Sequence, residues 1–121
     1  RLIKDLLMDQ KFVAGLGNIY VNEILFASGI NPFKKINKLK NYDIFKILKN
    51  TKYILKKSIK LGGSSIRDFS NTSGSKGNFQ LDNFKVYSRS GLQCFRCNDK
   101  SVIKRNLIAN RSTFYCEKCQ K

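Results

Sequence analysis

The chain has 121 residues, 41% of them hydrophobic, and carries 24 Lys and Arg against 8 Asp and Glu, a formal charge of +16. That size accommodates one compact domain or two small ones around a modest core. No apolar run is long enough for a membrane-spanning helix, and the absence of His excludes a His general base or a Ser-His relay. The charge points to a polyanionic partner, nucleic acid first, with an anionic membrane surface or a ribosomal setting as alternatives. The chain begins at Arg1 rather than Met, which suggests a segment of something longer.

Leu2, Ile3, Leu6 and Leu7 recur at helical spacing, which predicts a first helix over about 2–13. Gly15-Leu-Gly17-Asn18 breaks it. Asn18 is a good N-cap for a second helix over about 19–28, closed by Gly29 and kept from resuming by Pro32. A third helix is expected over about 41–61, with Ile44, Ile47, Leu48, Thr51, Ile54, Leu55, Ser58 and Ile59 facing inward. Residues 31–60 hold ten lysines and one acid, Asp43. Gly62-Gly63 ends the helix, and residues 62–79, rich in Gly, Ser and Asn, read as a long loop. Phe84–Tyr87 reads as a short strand. Val102-Ile103 and Ser112–Tyr115 read as the two strands of a hairpin. The fold class is mainly α with a small β zinc ribbon. Two domains are expected, 1–88 and 89–121.

The hairpin links two C-x2-C pairs, Cys94/Cys97 and Cys116/Cys119, with eighteen residues between them. Zinc takes four thiolates in a tetrahedron, and a two-residue gap lets both sulfurs of a tight turn face one ion. One structural Zn2+ is therefore expected, with no open position for catalysis. Two disulfides or a thioredoxin-like redox pair are the weaker alternatives.

Other segments suit contact with phosphate. Glycines at 15 and 17 let backbone approach closely, a following helix offers free N–H groups, and Asn18 adds an amide donor. The plainer reading makes Asn18 only a cap. Arg111, just ahead of the third cysteine, would be held stiffly by a metal-braced hairpin and suits a bidentate phosphate contact. The loop from Leu61 through Phe79 could fold over a ligand or serve as a linker. The acids are scattered and form no catalytic pair.

Three segments together resemble one family. Leu6–Phe26, continuing into Ser28-Gly-Ile-Asn-Pro32, looks like the helix–two-turn–helix of formamidopyrimidine-DNA glycosylase, a relative of endonuclease VIII. Gly62–Phe69 resembles its lesion-reading loop, and Asn110–Gln120 its C-terminal zinc finger. The resemblance implies base-excision repair of 8-oxoguanine and ring-opened purines, with strand cleavage at the abasic site. The partner would be duplex DNA containing such a lesion, the protein a cytoplasmic, nucleoid-associated bacterial monomer with no membrane partner. Asn18 and Arg111 match the pair that clamps phosphates beside a flipped nucleotide, and Lys11 a basic position near the lesion pocket. Gly17, Ser64, Ser65 and Arg67 complete the expected DNA-contacting set. The family's Pro-Glu nucleophile start has no counterpart here, so this chain alone is expected to bind DNA without cutting it. A non-enzymatic zinc-ribbon binder and a catalytically dead damage sensor are the competing readings.

Overall fold

The computed structural model describes residues 1–11, 16–60, 84–97 and 99–121. Among them are three α-helices, α1 (Ile3–Met8), α2 (Asn18–Ser28) and α3 (Asn41–Lys60), and a single 3-10 turn at Ile36–Lys38. An antiparallel hairpin of β1 (Lys104–Ile108) and β2 (Arg111–Tyr115) follows. This is the mainly helical fold with a small β ribbon that the sequence predicts.

α1 stops at Met8, short of its predicted end. The Asp9 carboxylate accepts the Lys11 backbone N–H at 2.9 Å and the Arg1 guanidinium at 2.5 Å. An Asp that bonds the chain two residues on forms a turn in competition with the helix. At its other end α1 is held by the 34–36 segment, where Ile3 N donates to Lys34 O and Ile36 N to Arg1 O, both at 2.8 Å.

α2 lies at the centre and packs against α1, α3 and β2. It buries Ile19, Val21, Asn22, Glu23, Ile24, Leu25, Phe26 and Ser28, so it is enclosed on nearly every side. Gly29 ends it in the left-handed region at φ 70°, where its N–H returns to the Leu25 and Phe26 carbonyls. The N-cap is Gly17, not Asn18. Asn18 is the first helical residue, and its side chain is used elsewhere.

α3 meets α2 along a narrow stripe. Ile47 and Ser58 are buried, but Ile44 and Leu48, predicted to face inward, are 45% and 58% exposed. Two cylinders touch over a strip narrower than the apolar arc of either, which leaves the flanks of that arc in solvent. Polar contacts hold both ends of the pair. Tyr20 Oη and Ser58 Oγ lie 2.6 Å apart, and Asn50 Nδ2 donates to Ser28 Oγ at 3.2 Å.

Two apolar cores result. One gathers Ile3, Leu7, Leu16, Val21, Ile24, Leu25, Ile30 and Ile47; the other gathers Phe26, Val86, Cys94, Ile103, Phe114 and Cys116. Phe26 of α2 reaches into the ribbon's core, so the ribbon is built onto the helical body. Residues 84–87 form no strand, because the amides of 85–87 turn toward Glu23 of α2. Val102 and Ile103 make only isolated bridges to Gln93 and Ser90, and continuous pairing begins at Lys104. Ala109 and Asn110, at φ 51° and 63°, form the two-residue turn, both left-handed as a primed hairpin turn requires. At the C-terminus, buried Gln120 donates to Ile30 O at 3.0 Å and accepts the Cys116 N–H at 2.9 Å. No helix of the described residues is long and apolar enough to cross a membrane.

Candidate functional site

The outer edge of β2 faces α2, and side chains rather than another strand satisfy it. The Ser112 carbonyl accepts Asn18 Nδ2 at 2.9 Å, Lys4 Nζ at 3.3 Å and Asn22 Nδ2 at 3.4 Å. The Phe114 N–H donates to Asn22 Oδ1 at 2.8 Å. Residues 18 and 22 lie one helical turn apart on the same face of α2, which is why both reach one strand. Arg111 immediately precedes Ser112 and is exposed. Asn18 from α2 and Arg111 from the hairpin are thus brought together through Ser112, although 93 positions apart in the chain.

Lys4 of α1 completes this corner. It is 1% exposed, and its ammonium donates to Thr113 Oγ1 at 2.7 Å. Burial, with the nearby Arg111 charge adding to it, lowers its pKa from 10.5 to about 8, against a smaller upward pull from Asp5. Two cations and a primary amide therefore converge beside one strand end. An exposed guanidinium and a half-buried amide, backed by a buried ammonium, suit an anion that accepts more than one hydrogen bond. The sequence reading passed over Lys4. The available signal was a lysine three residues from Leu7, within the apolar stripe of α1.

Of the other predicted contacts, Lys11 is exposed, and its backbone N–H is taken by Asp9. Gly17 is exposed at the start of α2 with nothing within 4 Å of where a Cβ would stand, so close backbone approach from outside is open there. Ser64, Ser65 and Arg67, and the loop they belong to, lie outside the described residues, as does Gly15.

Glu23, next to Asn22, reaches the opposite side of the ribbon. Its carboxylate accepts the Lys85 N–H at 2.7 Å, Val86 N–H at 2.9 Å and Tyr87 N–H at 2.8 Å. Burial pushes the carboxyl above its ordinary range, and these three donors pull it part of the way back. A cavity of about 270 Å³ lies beside it, lined by Tyr20, Phe26, Tyr53, Phe84 and Arg96 among others. Arg96 stacks 3.9 Å from the Phe26 ring centroid and donates to the Phe26 carbonyl, a cation at the end of α2 where the helix dipole favours one.

The four cysteines form a cluster that could hold a metal ion. Their sulfurs all lie within 4.8 Å of one another, with Cys94–Cys119 at 3.9 Å and Cys97–Cys116 at 3.8 Å. A disulfide would need ~2.05 Å. A tetrahedron of sulfurs ~2.3 Å from a central ion has edges of about 3.8 Å, so the donor set fits a four-thiolate metal site. Burial, with the neighbouring thiols, raises the Cys97 and Cys119 thiols. Burial also opposes ionisation of Cys94, but the backbone amides of Cys97 and Arg96 bring that thiol below its ordinary value. A divalent cation at the centre would remove the repulsion that thiolates this close exert on one another.

A helical body packed against a four-cysteine ribbon, with Asn18, Lys4 and the strand of Arg111 meeting at one corner, is the class of protein that this fold defines. Residues 1–70 match the Formamidopyrimidine-DNA glycosylase H2TH domain, and the chain belongs to that family. The formamidopyrimidine-DNA glycosylase of Prochlorococcus marinus (strain MIT 9515) is 43% identical over 121 residues, covering 100% of this chain and 40% of that protein. The Bdellovibrio bacteriovorus protein of the same name is 44% identical over 119 residues, 98% of this chain and 43% of its own length. A solved complex of Lactococcus lactis Fpg with abasic-site DNA superposes with a TM-score of 0.85 at 38% identity, covering 100% of this chain and 43% of that one. A complex of MutM with DNA containing carbocyclic 8-oxo-G gives 0.84 at 39% identity, covering 100% and 42%. The chain thus spans about two fifths of the length of the relatives it matches.

Proposed function

We propose that this chain is the DNA-binding part of a base-excision repair glycosylase/lyase for oxidised purines, and that it grips duplex DNA at a damaged or abasic nucleotide. The observation that carries the reading is the corner where Asn18, Lys4 and the strand bearing Arg111 converge on Ser112. The amide of Asn18 has two hydrogens, and the Ser112 carbonyl accepts from that amide once. The other hydrogen and the Arg111 guanidinium offer donors to adjacent phosphate oxygens, with Lys4 supplying charge behind them. The exposed start of α2 adds backbone N–H groups and the positive end of the helix dipole. The +16 charge supplies the long-range attraction. A nucleotide whose base must leave the stack to be reached needs its flanking phosphates held, and a rigid corner of this kind does that. Ser64, Ser65 and Arg67 are assigned to the loop that closes over the extruded base, and Lys11 to a DNA-facing position.

The metal is assigned as one structural Zn2+ held by Cys94, Cys97, Cys116 and Cys119. It ties residues 94–119 into the finger that presents Arg111 and supplies no chemistry. We divide the chain into a helical unit over 1–88 and a finger over 89–121. No residue of this sequence matches the Pro-Glu nucleophile of the resemblance, so the 121-residue polypeptide is expected to bind damaged DNA without cleaving it.

The test is a comparison of affinities for a duplex bearing a tetrahydrofuran abasic analogue and for the intact duplex. Preference for the abasic duplex is expected. Asn18→Ala and Arg111→Ala should each cost ~1.5–3 kcal/mol of that binding, the range for hydrogen bonds to a charged group. Equal affinity for both duplexes would favour the reading as a general zinc-ribbon nucleic-acid binder.

A further inference from the structure

Asn22 is 1% exposed and sits in the most enclosed helix of the protein, where a polar side chain is costly unless every polar atom is matched. It is matched on both ends. Its amide oxygen accepts the Phe114 N–H at 2.8 Å. Its amide nitrogen donates to the Asn18 carbonyl at 2.8 Å and lies 3.4 Å from both Asn18 Oδ1 and Ser112 O. Ser112 O and Phe114 N lie on the same edge of β2, two residues apart, so they point the same way. The amide thus offers that edge one acceptor and one donor, as a paired strand would.

We infer that Asn22 is a positioning residue: its amide stands in for a neighbouring strand at the free edge of β2 and sets the register of the Arg111-bearing hairpin against Asn18. This rests on the reading of Asn18 and Arg111 as a phosphate clamp. The two halves of that clamp come from a helix and from a metal-braced ribbon, and the apolar contacts between those bodies are non-directional. Sliding one body past the other by an ångström would preserve most of that burial and misalign two donors that must meet neighbouring phosphates. Glu23, Arg96 and Gln120 tie the two bodies elsewhere; at the clamp itself, bonds from Asn22 to both Phe114 N and the Asn18 backbone act with Lys4 on Thr113 and Asn18 on Ser112 to restrict that freedom. Neither Ala nor Leu can make them. Asp keeps the acceptor for Phe114 N, but its second oxygen faces three acceptors, the Asn18 carbonyl, Asn18 Oδ1 and the Ser112 carbonyl.

The test uses the zinc-loaded protein and its Asn22→Leu, Asn22→Ala and Asn22→Asp variants. Affinities are measured for a tetrahydrofuran-containing duplex and for the intact duplex. Exchange of the Phe114 backbone amide is followed by NMR. In N22L and N22A the ratio of abasic to intact affinity should fall about 10-fold, while intact-duplex affinity stays within about twofold. The Phe114 amide should exchange at least tenfold faster. N22D keeps only the Phe114 half of the bridge, so it should slow Phe114 exchange relative to N22A and leave the discrimination lowered; full discrimination in N22D would overturn the inference. In an Asn18→Ala/Arg111→Ala background, N22L should change abasic affinity by less than twofold, because no clamp remains to align. Unchanged discrimination in N22L and N22A, a full further loss in the double-variant background, or an unchanged Phe114 exchange rate would each overturn the inference. A wild-type protein that does not discriminate at all would overturn the clamp reading itself, and the positioning role with it.

Discussion

Glu23→Ala should strongly destabilise the protein. The carboxylate accepts three backbone N–H groups at 2.7–2.9 Å from Lys85, Val86 and Tyr87, and is only 7% exposed. Hydrogen bonds to a charged acceptor contribute ~1.5–3 kcal/mol each, which places an upper bound of about 9 kcal/mol on the loss. Two effects reduce it. Burial already opposes the charged carboxylate, so removing it relieves that cost. The adjacent cavity of about 270 Å³ lets water reach part of the exposed edge. A net loss of about 3–4 kcal/mol is expected, in line with breaking a buried charged network. For a chain of this length ~4 °C of Tm per kcal/mol applies, so thermal unfolding followed by circular dichroism at saturating zinc should shift down by ~12–16 °C. Glu23→Gln should lose about half as much, because its amide group turns a donor toward backbone donors. Amide exchange at residues 85–87 should rise in both variants before exchange in α2 does. A shift below ~3 °C for Glu23→Ala would refute the reasoning, since the 84–87 segment would then be held by Phe26, Val86 and Tyr87 packing alone.

Two further outcomes follow. Lys4 has a folded pKa of about 8 against an ordinary 10.5, so between those values the unfolded chain binds more protons than the folded one. The unfavourable contribution of the buried ammonium is therefore present in full below pH 8, and stability rises as pH climbs from about 8 to 10.5. DNA affinity should move the other way, falling as the ammonium is lost above pH 8. Both slopes should disappear in Lys4→Met, and an identical pH profile in that variant would remove Lys4 from the site. Chelation of zinc should unfold residues 94–119, abolish the ordered hairpin seen by NMR and weaken abasic-duplex binding, because structural zinc provides folding free energy outright. Retention of both the hairpin and the affinity after chelation would defeat the structural-zinc assignment.

Local chemistry made much of this protein legible without a structure. The cysteine spacing announced a four-thiolate cluster because two residues are what a metal-binding turn needs. The third helix was placed nearly to its ends, since an apolar period bounded by Asn41 and a glycine pair depends on nearby residues alone. Leu6–Phe26, Gly62–Phe69 and Asn110–Gln120 together carried the resemblance to the family. The errors arose where distant residues compete for a local segment. The first helix ended early because Asp9 bonded Arg1 and Lys11. Residues 84–87, β-like in composition, gave their amides to Glu23, 62 to 64 positions away. Asn18 was read as a cap because caps are local, yet its amide reaches Ser112, 94 positions on.

The sequence by itself therefore determined the family, the four cysteines that could hold a metal and the sign of the chain's own charge, each carried by spacing or composition within short windows. Tertiary structure decided the corner that joins Lys4, Asn18, Asn22 and the Arg111 strand. A buried lysine, two amides and a strand edge have no distinguishing local pattern, and their partners become identifiable only once folding brings residues about a hundred positions apart within 3 Å. Hydrogen bonding under burial then leaves each polar group very few partners it can accept.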